Sequence, residues 1–387
     1  MDQIKGLNKN TTLFIYLTAI FIFGILFFNN IPGTISLICT FLIGRSLMSS
    51  RFGIYWSLSL AAGFLPHYHL KTDVLSSWIF LLIFFSIYFL FIYYRDYELK
   101  NKKYYYITIA GLLTGISIPF IGPYAIILIL LSWISFNLVY NNIFKLDIIG
   151  LFLFLTTSIV FVFSWSYYIY IVDNIEPIES IIGQLKLFRF KLRNLHYPLV
   201  FYILFILVGY FPSSIFIYKA FRPQATDSPE MKMFKSWMVI LLLFGIGLFL
   251  IADIRDINLN SIACFPITFL CAYVLDHLHR KTMDFSKVLK SIYLFNGVLT
   301  SILFLFVHYQ KLFISTHISG KTKSASIYSD LIKLNESWSY YDSLIGLLLF
   351  IVICLGFRWL KRGHISYATI TTCSVSILIC MYLLNNQ

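Results

Sequence analysis

Thirteen apolar runs succeed one another along the chain, and they constrain its fold more than any other feature. They cover Thr12–Phe28, Ile31–Leu47, Ile54–Leu65, Leu75–Tyr94, Tyr104–Ile121, Tyr124–Tyr140, Ile148–Ile171, Leu199–Tyr218, Trp237–Ile251, Leu259–Val274, Ile292–Phe313, Leu344–Phe357 and Tyr367–Leu384. A helix needs about 20 apolar residues to cross the hydrocarbon of a bilayer. No water is available there, so each segment must satisfy its own backbone N–H and C=O groups, and runs of this length do so as helices. The pattern predicts an all-α, polytopic integral membrane protein.

Composition agrees. Only 12% of the 387 residues are charged, whereas a soluble domain keeps roughly a quarter. Hydrophobic residues make up 59%, and the mean hydropathy is +0.80. Many of the Tyr, Phe and Trp residues lie at the ends of apolar runs, as an interfacial belt requires. The polar start Met1–Lys9 leads into an apolar run without a small-residue cleavage site, which reads as an uncleaved segment. All six cysteines (Cys39, Cys264, Cys271, Cys354, Cys373, Cys380) fall inside apolar runs. There they act as small hydrophobes rather than as a disulfide or metal framework.

The formal charge of +13 is spread among the loops, so it reports orientation and anionic lipid, not nucleic acid. If the Arg45–Arg51 loop is cytoplasmic and each later run crosses once, the cytoplasmic loops hold 18 basic residues and the outer ones 10. That bias follows the positive-inside rule. There is no Gly-rich nucleotide loop, which argues against an ATP-driven transporter. Acidic residues sit at run ends, and Asp147 and Asp276 there need no more than ordinary interfacial placement.

Between two apolar runs lies a polar knot, His67-Tyr68-His69-Leu70-Lys71-Thr72-Asp73. Ionisable groups near a bilayer core are costly and mark candidate sites. Thr72 and Asp73 are equally good N-caps for the next helix, so the cap and site readings both stand. Further outer-side candidates are Arg189, Arg193 and His196, followed by Asp253, Arg255 and Asp256. A carboxylate beside cations suits chemistry on a lipid-linked phosphate: the cations hold the phosphate and the carboxylate takes a proton from an attacking hydroxyl. The alternative is that each is a solvated loop charge. Of the two long outer loops, Asp173–Tyr197 carries Ile178, Ile181, Ile182, Leu185 and Phe188 at helical spacing beside basic residues. It predicts an interfacial amphipathic helix. The second, Ile314–Asp342, is rich in Ser, Lys and Tyr.

Several segments, in order over roughly residues 10–275, resemble the GT-C class of membrane glycosyltransferases. The closest group holds the bacterial aminoarabinose transferases that modify lipid A, with protein O-mannosyltransferases more remote. Leu13-Phe14-Ile15-Tyr16-Leu17-Thr18-Ala19 resembles the "KPPLYYWLTA" stretch, and Ile31-Pro32-Gly33-Thr34 through Leu42-Ile43-Gly44-Arg45 resembles "RLPSA…LGRRLFG". Lys71-Thr72-Asp73-Val74-Leu75 resembles "ALTDMLL", and Ala110-Gly111-Leu112-Leu113-Thr114-Gly115 with Gly122-Pro123 resembles "AGLLLGLAFLTKGP". Arg189-Phe190, His196-Tyr197-Pro198 and Tyr210-Phe211-Pro212 resemble "RF…H…P…LPW"; Phe265-Pro266 falls where a proline-rich span starts.

The resemblance implies a bundle of about 11–13 transmembrane or juxtamembrane helices. Its parts are a juxtamembrane helix in 1–30, a core over 31–277 with an outer loop at 173–197, and C-terminal helices over 278–387 with an outer loop at 314–342. It implies transfer of a sugar from a polyprenyl-phosphate donor to a lipid or glycan acceptor on the outer face of a bacterial inner membrane. Asp73 then orients or deprotonates the acceptor. Lys71, Arg189, Arg193, Asp253, Arg255 and Asp256 contact lipid phosphate or sugar, and His196 corresponds to a histidine that can contribute to a divalent metal site. Departures accompany the matches. The family's first span and acidic-pair loop have no counterpart, Lys9 and Asn10 align with its Glu-Lys pair, and Ile121 replaces the lysine of the "KGP" turn. The glutamate that would partner His196 is absent too. A non-catalytic carrier-binding homologue, or a polysaccharide polymerase or flippase-like protein, is the rival reading.

Overall fold

The computed structural model describes residues 9–28, 31–72, 74–98, 104–122, 124–140, 147–173, 206–222, 224–251, 262–318 and 344–385. Among them the regular structure is entirely helical, as the apolar runs predict. The main helices are α1 Lys9–Phe28, α2 Ile31–Leu47, α3 Ser50–Ala62, α4 Phe64–Thr72, α5 Val74–Glu98, α6 Tyr105–Ile121 and α7 Tyr124–Tyr140. They continue with α8 Ile148–Asp173, α9 Pro229–Ile251, α10 Cys264–His279, α11 Lys287–Ile318, α12 Leu344–Lys361 and α13 Ile365–Asn385.

Among the described residues, five helices are long and apolar enough to cross a membrane: Ser77–Asp96, Ile148–Val172, Lys287–Leu305, Leu344–Lys361 and Ile365–Leu383. The protein is a multi-pass membrane protein. Most helices match a predicted run to within a few residues. One predicted run breaks up: within Leu199–Tyr218, the described part is a helical turn at 206–209, turns, a 3-10 segment Ser213–Phe216 and a single α-turn Ile217–Ala220. Pro212 explains the break, since it lacks an N–H and disfavours helical geometry at Phe211. The helical part of the Ile314–Asp342 loop is also longer than expected, because α11 continues to Ile318.

The chain forms two compact units. The first comprises Met1–Asp73, Tyr197–Arg222 and Ile267–Gln387, and the second Val74–His196 and Pro223–Pro266. In the first, α1 and α2 pair antiparallel, with Tyr16 against Phe41 (5.9 Å between rings) and Gly24 against Thr34. The α2–α3 corner is closer still. A Cβ on Gly44 would stand 2.8 Å from the Gly53 Cα, and one on Gly53 would stand 2.5 Å from the Phe41 carbonyl. Lipid tails are as apolar as the helices, so close backbone approach across small residues holds such pairs together. The α11–α12 pair repeats the device: a Cβ on Gly346 would lie 2.6 Å from the Ser301 carbonyl oxygen and the Leu305 nitrogen.

The second unit uses hydroxyls as well as small residues. Ser86 of α5 donates to the Ala110 carbonyl of α6 (2.9 Å) and pairs with Thr114 (2.8 Å), and Ser158 of α8 donates to the Gly111 carbonyl (2.8 Å). Nearer one end, Trp133 Nε1 donates to Tyr94 Oη (2.6 Å), which donates to Asn137 Oδ1 (2.8 Å), and Phe136 stacks on Trp237 at 4.3 Å. Tyr93 donates to Asp147. Much of α8 is exposed among the described residues, including Phe152, Val160, Phe163, Tyr167 and Ile171. An uncovered apolar face of that length is a lipid-facing surface.

Candidate functional site

The polar knot is folded into the first unit as α4. Nine residues rise about 14 Å, too little to cross a bilayer. Gly63 ends α3 in an extended conformation, and the His67 N–H donates to the Gly63 carbonyl (2.9 Å), starting the new helix at once. The helix packs against α1, α2, α3 and α13. This packing buries His67 and His69 completely.

His67 is the best-defined group. Its Nδ1 lies 2.9 Å from the Ala61 carbonyl. A carbonyl only accepts, so Nδ1 carries the hydrogen and Nε2 of the neutral ring carries a lone pair. That Nε2 is buried with no hydrogen-bond partner among the described residues, and the Phe28 ring covers the imidazole at 5.0 Å. Burial pushes the His67 pKa down to about 4; the Ala61 bond opposes this, and the charge of Lys71 adds to it. Lys71 stands one turn on, on the same face of α4. Burial holds its amine below the ordinary lysine value, while the neighbouring Cys380 thiol of α13 pulls the other way. The site therefore presents a partly buried cation beside a neutral histidine with a bare acceptor nitrogen.

Of the residues singled out from the sequence, Lys71, His67 and His69 are brought together on α4. Asp73, Arg189, Arg193, His196, Asp253, Arg255 and Asp256 lie outside the described residues, as does the predicted amphipathic helix of Asp173–Tyr197. Helix α5 begins at Val74, directly after Asp73. Among the described residues no group of three or more His, Cys, Asp or Glu side chains is placed to hold a metal ion.

The opposite end of the unit holds a polar centre that sequence reasoning missed. Asp276 is fully buried and is bridged by Arg51 Nε at 3.3 Å and Arg280 Nε at 2.5 Å. Beside it, Tyr55 Oη, Ser366 Oγ and His279 Nδ1 form a triangle with edges of 3.1–3.3 Å. These contacts tie the first turns of α3 and α13 to the end of α10. The only local signal is an acid inside the apolar stretch of α10. Arg51 and Ser366 are distant in sequence, so no spacing could pair them with it.

Fold and site together define a helical membrane protein whose first unit has one strongly basic end and a His–Lys pair at the other. No protein-family model and no curated protein matches the sequence. Among solved structures the chain is similar to ArnT from Cupriavidus metallidurans. The apo form matches with a TM-score of 0.59 at 13% identity, over 92% of this chain and 61% of that one. The form bound to undecaprenyl phosphate matches with a TM-score of 0.56 at 14% identity, over 96% of this chain and 66% of that one. The chain thus has an ArnT-like fold and spans just under two thirds of the length of those structures.

Proposed function

We propose that the protein binds a polyprenyl-phosphate carrier and transfers its sugar to a lipid or glycan acceptor on the outer face of a bacterial inner membrane. The ArnT-like fold carries this reading, since one of the two similar structures holds undecaprenyl phosphate. Charge supports the orientation. In the first unit Arg45, Arg51, Arg280, Lys281, Lys361 and Arg362 cluster at the end away from Lys71, and the positive-inside rule assigns such an end to the cytoplasm. Lys71 is then on the outer side, where its ammonium holds the carrier phosphate. Asp73 takes the acceptor proton, Arg189, Arg193 and Arg255 stabilise developing phosphate charge, and Asp253 and Asp256 contact the sugar.

A transfer assay with a polyprenyl-phosphate sugar and a panel of lipid and glycan acceptors tests the reading. Turnover that Asp73→Asn abolishes is the expected result; wild-type rates in that variant remove Asp73 from the chemistry. The second reading, carrier binding without transfer, is favoured by Ile121 standing where the resembling family has a lysine. It predicts carrier binding and no turnover across the acceptor panel.

A further inference from the structure

We propose that the first unit binds the headgroup of an anionic phospholipid at its basic end, in a cleft between the start of α1 and the α2–α3 corner. The cleft has a volume of about 540 Å³, within the range of small-molecule sites and far beyond what one ordered water needs. Its polar lining is Arg45, Ser46, Ser49 and Ser50, and its apolar lining is Leu13, Tyr16 and Leu42. A cation and three hydroxyls meeting an apolar wall match a phosphodiester with acyl chains.

The cation is available. Asp276, the buried acid of this end, is already bridged by Arg51 and Arg280, and Arg45 has no ion pair among the described residues. The hydroxyls sit where a helix begins. Ser49 caps α3 by accepting from the Phe52 N–H at 3.2 Å, and Arg280 Nη2 donates to the same hydroxyl at 3.4 Å. The N–H groups of Ser50 and Arg51 precede the first bond within α3, Gly53 to Ser49, and point toward the positive pole of the helix.

The route of entry selects a lipid over a soluble anion. Along α1, Ile15, Phe21, Ile22 and Ile25 are all close to half exposed, and Leu42 on α2 is 40% exposed. These apolar faces border the cleft along the bilayer, so a ligand with acyl chains covers them while its phosphate reaches Arg45. This site is independent of the carrier site and lies at the other end of the unit.

Native mass spectrometry of the full chain, released from nanodiscs holding equal phosphatidylglycerol and phosphatidylcholine, tests the proposal. Wild type should retain phosphatidylglycerol preferentially, and Arg45→Gln should lower that preference about fivefold, the effect of one basic contact near a membrane surface. Ser50→Asp should lose it as well while folding normally, because an acid in the first turn suits the helix dipole and repels a phosphate. Arg362→Gln, an exposed cation of the same end outside the cleft, should leave the preference intact. Three results would overturn the proposal: equal loss in Arg45→Gln and Arg362→Gln, no loss in Arg45→Gln and Ser50→Asp, or retention of a polyprenyl phosphate in preference to phosphatidylglycerol.

Discussion

Acid should loosen this protein through His67, and a non-titrating substitution should remove that loss. The ring is fully buried, and its pKa falls from 6.5 to about 4 on folding, mainly through burial. The folded-state value lies below the unfolded one, so between those limits the unfolded chain binds a proton that the folded chain refuses. Stability is therefore full above pH 6.5, falls as the pH drops through that window, and levels off below pH 4. At pH 4.5 the two units between pH and the unfolded pKa correspond to about 2.7 kcal/mol. His67→Asn keeps a donor for the Ala61 carbonyl but has no titration. Unfolding titrations in mixed micelles at pH 7.5, 6.5, 5.5 and 4.5, followed by tryptophan fluorescence, measure both proteins. The other histidines cancel in the difference. Wild type should lose about 2.7 kcal/mol more than His67→Asn across the series. Parallel pH profiles would refute the reasoning, because they would mean that the folded state takes up the proton at Nε2 without penalty.

Three further outcomes follow from the geometry. Lys71→Ala should weaken carrier binding about tenfold in a fluorescent polyprenyl-phosphate assay, through loss of one charge-assisted contact, with little change in thermal stability. Asp276→Asn should destabilise the protein by about 1–3 kcal/mol, below the range for a fully buried pair because Arg51 and Arg280 keep 42% and 35% of their side-chain surface in solvent; in a double-mutant cycle, Arg280→Gln should cost less once Asp276 is changed. Gly346→Val should cost about 3 kcal/mol in the same unfolding assay, since its Cβ meets backbone atoms of α11 at 2.6 Å that cannot move aside independently.

The sequence was legible where one physical rule acts locally. Ile148–Ile171 is apolar on every face, and the structure leaves much of that helix bare, as a lipid-facing span should be. The same uniformity hides what packs inside. Ser86, Thr114 and Ser158 read as incidental hydroxyls in apolar runs, yet they bridge α5, α6 and α8. The Leu199–Tyr218 run looked like one span because hydropathy does not register the missing N–H of Pro212. The polar knot stood out because it interrupts apolar runs. That Nδ1, not Nε2, of His67 carries the hydrogen follows only from the Ala61 carbonyl beside it.

By itself, then, the sequence determined the solvent and most of the secondary structure of this protein. Apolar runs of membrane length leave the backbone no partner except its own next turn, so helices across a bilayer are the one outcome. It also carries an expectation of sidedness, because loop charge is a sum over residues and needs no geometry. Only the tertiary structure decided which polar groups meet. It folded His67 and Lys71 onto one face of α4 beside Cys380, and it buried Asp276 between two arginines, Arg51 lying 225 residues away in sequence. Such pairings depend on which helices touch and at what rotation. Hydropathy cannot encode that, because apolar faces fit one another interchangeably until small residues and hydroxyls select a register.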